Sequence, residues 1–100
     1  MGISISHGVP STRSALTLSN LGQHLAHTLT GSEWRELSDL FDGRLDLPMC
    51  IPPAQAGRIG ELLHKAAGHR AMEPGWGELA ILIGDAAKRA AHLGQNWEWS

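Results

Sequence analysis

A chain of 100 residues, 42% hydrophobic and 18% charged, carries enough apolar material for one small core and too little charge for a disordered chain. Its net charge of −2 lacks the basic excess that grips a phosphate backbone, so nucleic-acid binding is not expected. The single cysteine, Cys50, excludes an internal disulfide and a cysteine-based zinc cage, fits a reducing cytoplasm, and stands in a chain with no apolar run near the ~20 residues of a membrane span.

"ISIS" at 3–6 alternates apolar and polar side chains, as a short strand does, and "HGVPST" turns the chain. Leu18, Leu21, Leu25 and Leu29 recur at helical spacing and predict a helix over about 15–29. Thr30-Gly31-Ser32 breaks it, Ser32 is placed to cap a second helix, and that helix carries Trp34, Leu37, Leu40 and Phe41 before ending near Gly43. "RLDLPMCIPP" at 44–53 is again extended, with Pro48 restricting it to a sheet edge or bulge. Pro53 suits the first turn of a third helix, lined by Ala56, Ile59, Leu62, Leu63 and Ala66, with Gly68 past its end. Glu61 and Lys65 stand four apart on its polar face. A fourth helix over about 74–93 buries Trp76, Leu79, Ala80, Ile83, Ala87 and Ala90.

A shift of 42 residues lays the first half on the second without a gap. Pro10 falls on Pro52, Leu21 on Leu63, His27 on His69, Trp34 on Trp76, Glu36 on Glu78, Leu37 on Leu79 and Leu40 on Leu82. Ile3 and Ile5 fall on Leu45 and Leu47, preserving the strand alternation. The expectation is a single α+β domain over 1–100, made of two strand–helix–helix units (1–42 and 43–93) and a tail at 94–100. A short two-stranded sheet would be covered by about four helices, with Trp34, Trp76, Leu37 and Leu79 anchoring helix to sheet. Such a sheet has two free edges, open to a second copy or to the C-terminal "NWEWS".

Four groups of residues are candidates for function. His24 and His27, three apart on one helical face, reach a common point, but a zinc site needs three or four ligands and the H-E-x-x-H pattern is absent. The solvated-surface interpretation is therefore preferred, and no cofactor is expected. Cys50 ends the second predicted strand just before a helix, and His7 ends the first; parallel neighbouring strands would bring them together as a nucleophile–base pair. Against that, a lone cysteine is usually packed and inert. Trp97 and Trp99 face the same way in an extended tail and are either a lid on a small core or a partner-binding surface, with the lid favoured. Ile81 lies among the polar residues of the fourth helix and matters only as part of an exposed patch.

The segments "SHG", "IPPAQAGRIGELLHKAA", "WGEL" and "WEWS" resemble a group of small uncharacterised actinobacterial proteins. The resemblance covers most of the chain and implies a small cytoplasmic protein, with no activity or functional residue to carry over. The functional expectation is a non-enzymatic interaction module of protein-binding, regulatory or inhibitor type, with self-association into a homodimer open. The alternative is a ligand- or metal-binding protein or small enzyme using His7 and Cys50 or the His24/His27 face.

Overall fold

The computed structural model describes residues 2–41 and 48–100. In chain order these form β1 (Gly2–Ile3), β2 (Arg13–Ser14), α1 (Ala15–Thr28), α2 (Gly31–Phe41), β3 (Met49–Ile51), α3 (Pro53–Ala67), α4 (Pro74–His92) and β4 (Trp97–Trp99). The class is α+β, with short antiparallel strand pairs packed by helices. The expected helix end at Gly43 and the strand positions Leu45 and Leu47 lie outside the described residues.

Local chemistry sets the helix boundaries. Ser14 caps α1, its hydroxyl accepting the Thr17 N–H at 3.0 Å. The cap of α2 is Thr30 rather than Ser32. Its hydroxyl accepts the Glu33 N–H at 3.2 Å, and Glu33 Oε1 accepts the Thr30 N–H at 3.0 Å. This reciprocal pair satisfies two donors that the first turn leaves free, which places the helix start one residue before Ser32. Pro53 and Pro74 open α3 and α4, where a missing N–H costs nothing.

β1 pairs antiparallel with β2, Gly2 opposite Ser14 and Ile3 opposite Arg13, and the other strand pairing is built on β4. Along one edge it pairs with β3, in the register Met49 to Trp99, Cys50 to Glu98 and Ile51 to Trp97. Along the other it meets the N-terminal segment. Ser4 and Ser100 exchange backbone hydrogen bonds of 2.6 and 2.8 Å, Ser6 N–H donates to the Glu98 carbonyl at 2.9 Å, and Ile5 stands opposite Trp99. The N-terminal strand and β3 are therefore parallel to each other but are not neighbours. This corrects the expectation that the two units pair strand to strand. β4 supplies backbone groups on both edges, and its alternation drives Trp97 and Trp99 into the core while Glu98 faces out.

One cluster forms the core, joining Leu18, Leu21 and Leu25 of α1 to Leu37, Leu40 and Phe41 of α2, the inner stripes of α3 and α4, and both C-terminal tryptophans. α3 and α4 share the most extensive contact of any two elements. Glycines let them close up: a Cβ on Gly60 would stand 2.9 Å from the Gly84 carbonyl oxygen, and one on Gly84 would stand 3.2 Å from Leu63 Cβ. Leu37 is buried as expected, whereas Trp34, Trp76 and Leu79 are half-buried. The tryptophan anchors rest on α1, not on the sheet. Trp34 covers Gly22, and Trp76 stacks on His24, because the inner side of the sheet is already filled by Trp97 and Trp99.

A 42-residue shift carries the start of α1 to position 57, whereas α3 begins at Pro53, and β2 has no counterpart before α3, so the expected repeat is matched only in a strand preceding two helices.

Ion pairs tie α2 to α3. Arg58 grips Glu36 through two bonds of 3.0 and 3.1 Å, and Lys65 turns to Glu33 at 2.5 Å instead of pairing with Glu61 on its own helix. The Lys65 ammonium, helped by the Thr30 backbone N–H, lowers the Glu33 carboxyl to about 2, and the Arg58 guanidinium lowers that of Glu36.

Candidate functional site

The first candidate region is a pocket between α1 and α2. Gly22 stands in the buried stripe of α1, where a Cβ would lie 2.8 Å from Phe41 Cβ and 3.3 Å from the Trp34 ring. The missing side chain lets α2 cross α1 closely and leaves a pocket of about 190 Å³ lined by Ser19, Gly22, Gln23, Ala26, Trp34 and Phe41. Its floor is aromatic and its rim carries one hydroxyl and one amide. Leu16, Ser19, Gln23 and Ala26 follow one another at helical spacing along α1, so the rim continues to Leu16, which is 71% exposed.

The second region is the end of the sheet, where the N-terminal strand turns. His7 has φ 68° and Gly8 φ 116°, both left-handed, and the turn is held by Arg89, whose guanidinium donates to the His7 carbonyl. The φ of Gly8 is one that side-chain-bearing residues rarely adopt, so the turn favours glycine there. Neighbouring side chains of a regular strand point to opposite faces. The left-handed backbone at His7 instead swings its ring back onto its neighbour, placing Nδ1 2.7 Å from Ser6 Oγ. On the far side of the ring, Nε2 lies 2.8 Å from Gln95 Oε1. Ser6 Oγ also accepts the Glu98 backbone N–H at 2.9 Å, and the Trp97 indole N–H donates to the Ser6 carbonyl at 3.2 Å.

The residues singled out in the sequence are distributed differently from what that reading required. Cys50 is exposed on β3 and does not meet His7. β4 lies between their strands, which are two strand spacings apart, roughly 9–10 Å. His7 is instead the partner of Ser6 and Gln95, a connection the sequence hides because Gln95 is 88 positions away. The other two histidines separate as well: His27 is exposed, while His24 is half-buried with its ring 5.1 Å from that of Trp76 and nearly parallel to it. Among the described residues no group of three or more His, Cys, Asp or Glu side chains converges on a metal position.

Trp97 and Trp99 are 0% and 1% exposed, so they serve as the lid of the core and do not offer a docking surface. Ile81 is 45% exposed on α4. One further contact escaped the sequence: His64 of α3 sits over Gly84 with Nε2 2.8 Å from Asp85 Oδ1, close but without hydrogen-bond alignment. The pocket residues were equally hidden, although a glycine inside the leucine stripe of α1 was the available sign of a close helix crossing.

The family model of the domain of unknown function DUF7739 matches residues 7–100. The chain belongs to the DUF7739 family. The DUF7739 match begins at the left-handed His7 and takes in all four helices, the α1–α2 pocket, Cys50 and Gln95. No curated protein and no solved structure matches the chain significantly. No helix among the described residues is long and apolar enough to cross a membrane.

Proposed function

We propose that the chain is a small interaction module, working in the cytoplasm, that receives one apolar side chain of a protein partner in the α1–α2 pocket. The observation that supports this is the size and lining of the pocket. At about 190 Å³ it is smaller than the roughly 300–1,000 Å³ of sites that enclose small molecules, and it suits a single inserted side chain. Its floor of Trp34 and Phe41 is the kind of desolvated aromatic surface on which binding energy concentrates. The exposed Leu16 adds an apolar side chain beyond the pocket, for a partner helix or strand lying along α1 to cover. A regulatory or inhibitor role follows from such a module, and a second copy of the chain is one partner that would fit.

The test is a comparison of the wild-type chain with Ala26→Arg, which places a long charged side chain at the exposed rim without entering the core. Affinity capture from the native host is expected to recover a partner with the wild type and lose it with Ala26→Arg. Mass in solution across a range of concentrations identifies that partner as a second copy or as another protein. Equal recovery by both chains would remove the pocket from the interface.

A further inference from the structure

We propose that Ser6 is an activated nucleophile, with His7 Nδ1 as its base and Gln95 as the positioning residue, that accepts an acyl group from an activated ester. The site shares no residue with the α1–α2 pocket. It stands on the geometry of three hydrogen bonds, from which the proton positions follow. Gln95 Oε1 faces His7 Nε2 at 2.8 Å, and an amide oxygen only accepts, so Nε2 carries the ring proton. Nδ1 is then a lone pair, and Ser6 Oγ at 2.7 Å meets it by donating its single proton. The Glu98 N–H occupies one lone pair of Oγ, at 2.9 Å. The second lone pair is left to attack.

This is the nucleophile, base and orienting group of acyl-transfer sites, with the two ring nitrogens exchanged in role. The left-handed backbone at His7 is uncommon for any residue but glycine, and such conformations cluster at functional sites. Without the left-handed turn at His7, adjacent side chains of the strand could not meet. Arg89 holds the turn by donating to the His7 carbonyl.

The chemistry balances within the site. Ser6 Oγ bonds to the carbonyl carbon of the ester, and its proton passes to His7 Nδ1. The carbon–oxygen bond to the leaving alcohol breaks, and Nδ1 returns the proton to that alcohol. Water then attacks the acyl-serine by the same route, releasing the acid and restoring the serine hydroxyl. The imidazolium formed between these steps donates to Gln95 Oε1 from Nε2.

The test uses a fluorophosphonate probe on the full chain, which forms a bond from serine oxygen to phosphorus with loss of fluoride and does not depend on the exposed Cys50 thiol. Peptide mass spectrometry compares labelling of Ser6 with that of Ser4 and Ser11 in the same digest. A positioned base contributes roughly 10²-fold or more, so Ser6 is expected to label about 10²-fold faster than the other two. His7→Asn keeps a residue that tolerates the left-handed conformation but removes the base, and it is expected to bring Ser6 down to the rate of Ser4. Gln95→Glu, which only accepts, keeps the tautomer and the labelling. Gln95→Lys, which only donates, reverses the tautomer and loses the labelling, whereas a merely structural tie would not distinguish these two variants. Equal labelling of Ser6 and Ser4 in the wild type overturns the proposal. So does undiminished Ser6 labelling in a His7→Asn chain with unchanged circular dichroism.

Discussion

Trp97 and Trp99 meet edge to face beneath the sheet, with ring centroids 5.3 Å apart and planes at 89°. Trp99 in turn sets its ring edge-on to Phe41 at 5.5 Å, so one aromatic chain runs from β4 to the end of α2. The two tryptophans differ in one respect. The Trp97 indole N–H donates to the Ser6 carbonyl at 3.2 Å, whereas the Trp99 indole N–H is buried without an acceptor among the described residues.

Truncating either ring opens a large cavity at the centre of the fold. Trp97→Ala and Trp99→Ala are each expected to cost about 3–5 kcal/mol, measured by urea unfolding. The phenylalanine variants separate the two positions. Trp97→Phe strips the Ser6 carbonyl of its partner and is expected to cost about 1 kcal/mol more than Trp99→Phe, which removes an unpaired donor. Equal losses would mean that the Trp97 hydrogen bond contributes nothing net.

Gly22, at the crossing of α1 and α2, and Gly75, in an open turn, are opposites. A methyl at Gly22 would stand 2.8 Å from Phe41 Cβ, so Gly22→Ala is expected to cost about 1–3 kcal/mol through overpacking. At Gly75, in the first turn of α4, a methyl meets nothing within 4 Å, and Gly75→Ala is expected to gain about 0.4–1 kcal/mol by restricting the unfolded chain. Thermal midpoints of the two variants should move in opposite directions.

Acid should loosen the α2–α3 link. Glu33 and Glu36 both have folded values below the ordinary carboxylate value of 4.5, with Glu33 at about 2. A depressed folded value means that the contribution is complete above about pH 4.5 and is lost as pH falls toward 2. Glu36 is 42% exposed, and Lys65, the partner of the 14% exposed Glu33, is 59% exposed, so solvent and salt screen the effect. Between pH 5 and 2 the wild type is expected to lose more stability than Glu33→Gln, and 1 M salt should narrow the difference. Parallel pH curves for the two chains would remove Lys65 as the cause.

Cys50 faces solvent from the edge partner of β4, two strands from His7. Its thiol is expected to react fully with a thiol reagent in the native protein, and Cys50→Ser to change stability by less than about 0.5 kcal/mol. His7→Asn should leave the alkylation rate of Cys50 unchanged. A thiol protected in the native state, or slowed by His7→Asn, would contradict the separation of the two strands.

Much of this fold is written in local pattern. Leucines at helical spacing, Pro53 and Pro74 at helix starts and serine or threonine before α1 and α2 place the four helices within a few residues, because each signal acts over one or two turns. The choice between Thr30 and Ser32 as cap shows the limit even there. Both carry the needed hydroxyl, and the bond from Glu33 back to Thr30 decides between them.

Sequence alone determined the α+β class, that Trp97 and Trp99 share one face and the exposure of His27, since periodicity assigns faces without knowing what lies opposite. Tertiary structure alone decided that β4 divides the N-terminal strand from β3, that Lys65 reaches Glu33, and that His7 joins Ser6 to Gln95 rather than to Cys50. These are pairings between residues far apart in the chain. Nothing in the spacing along one chain specifies which distant partner will satisfy a strand edge, a charge or a ring nitrogen when several could.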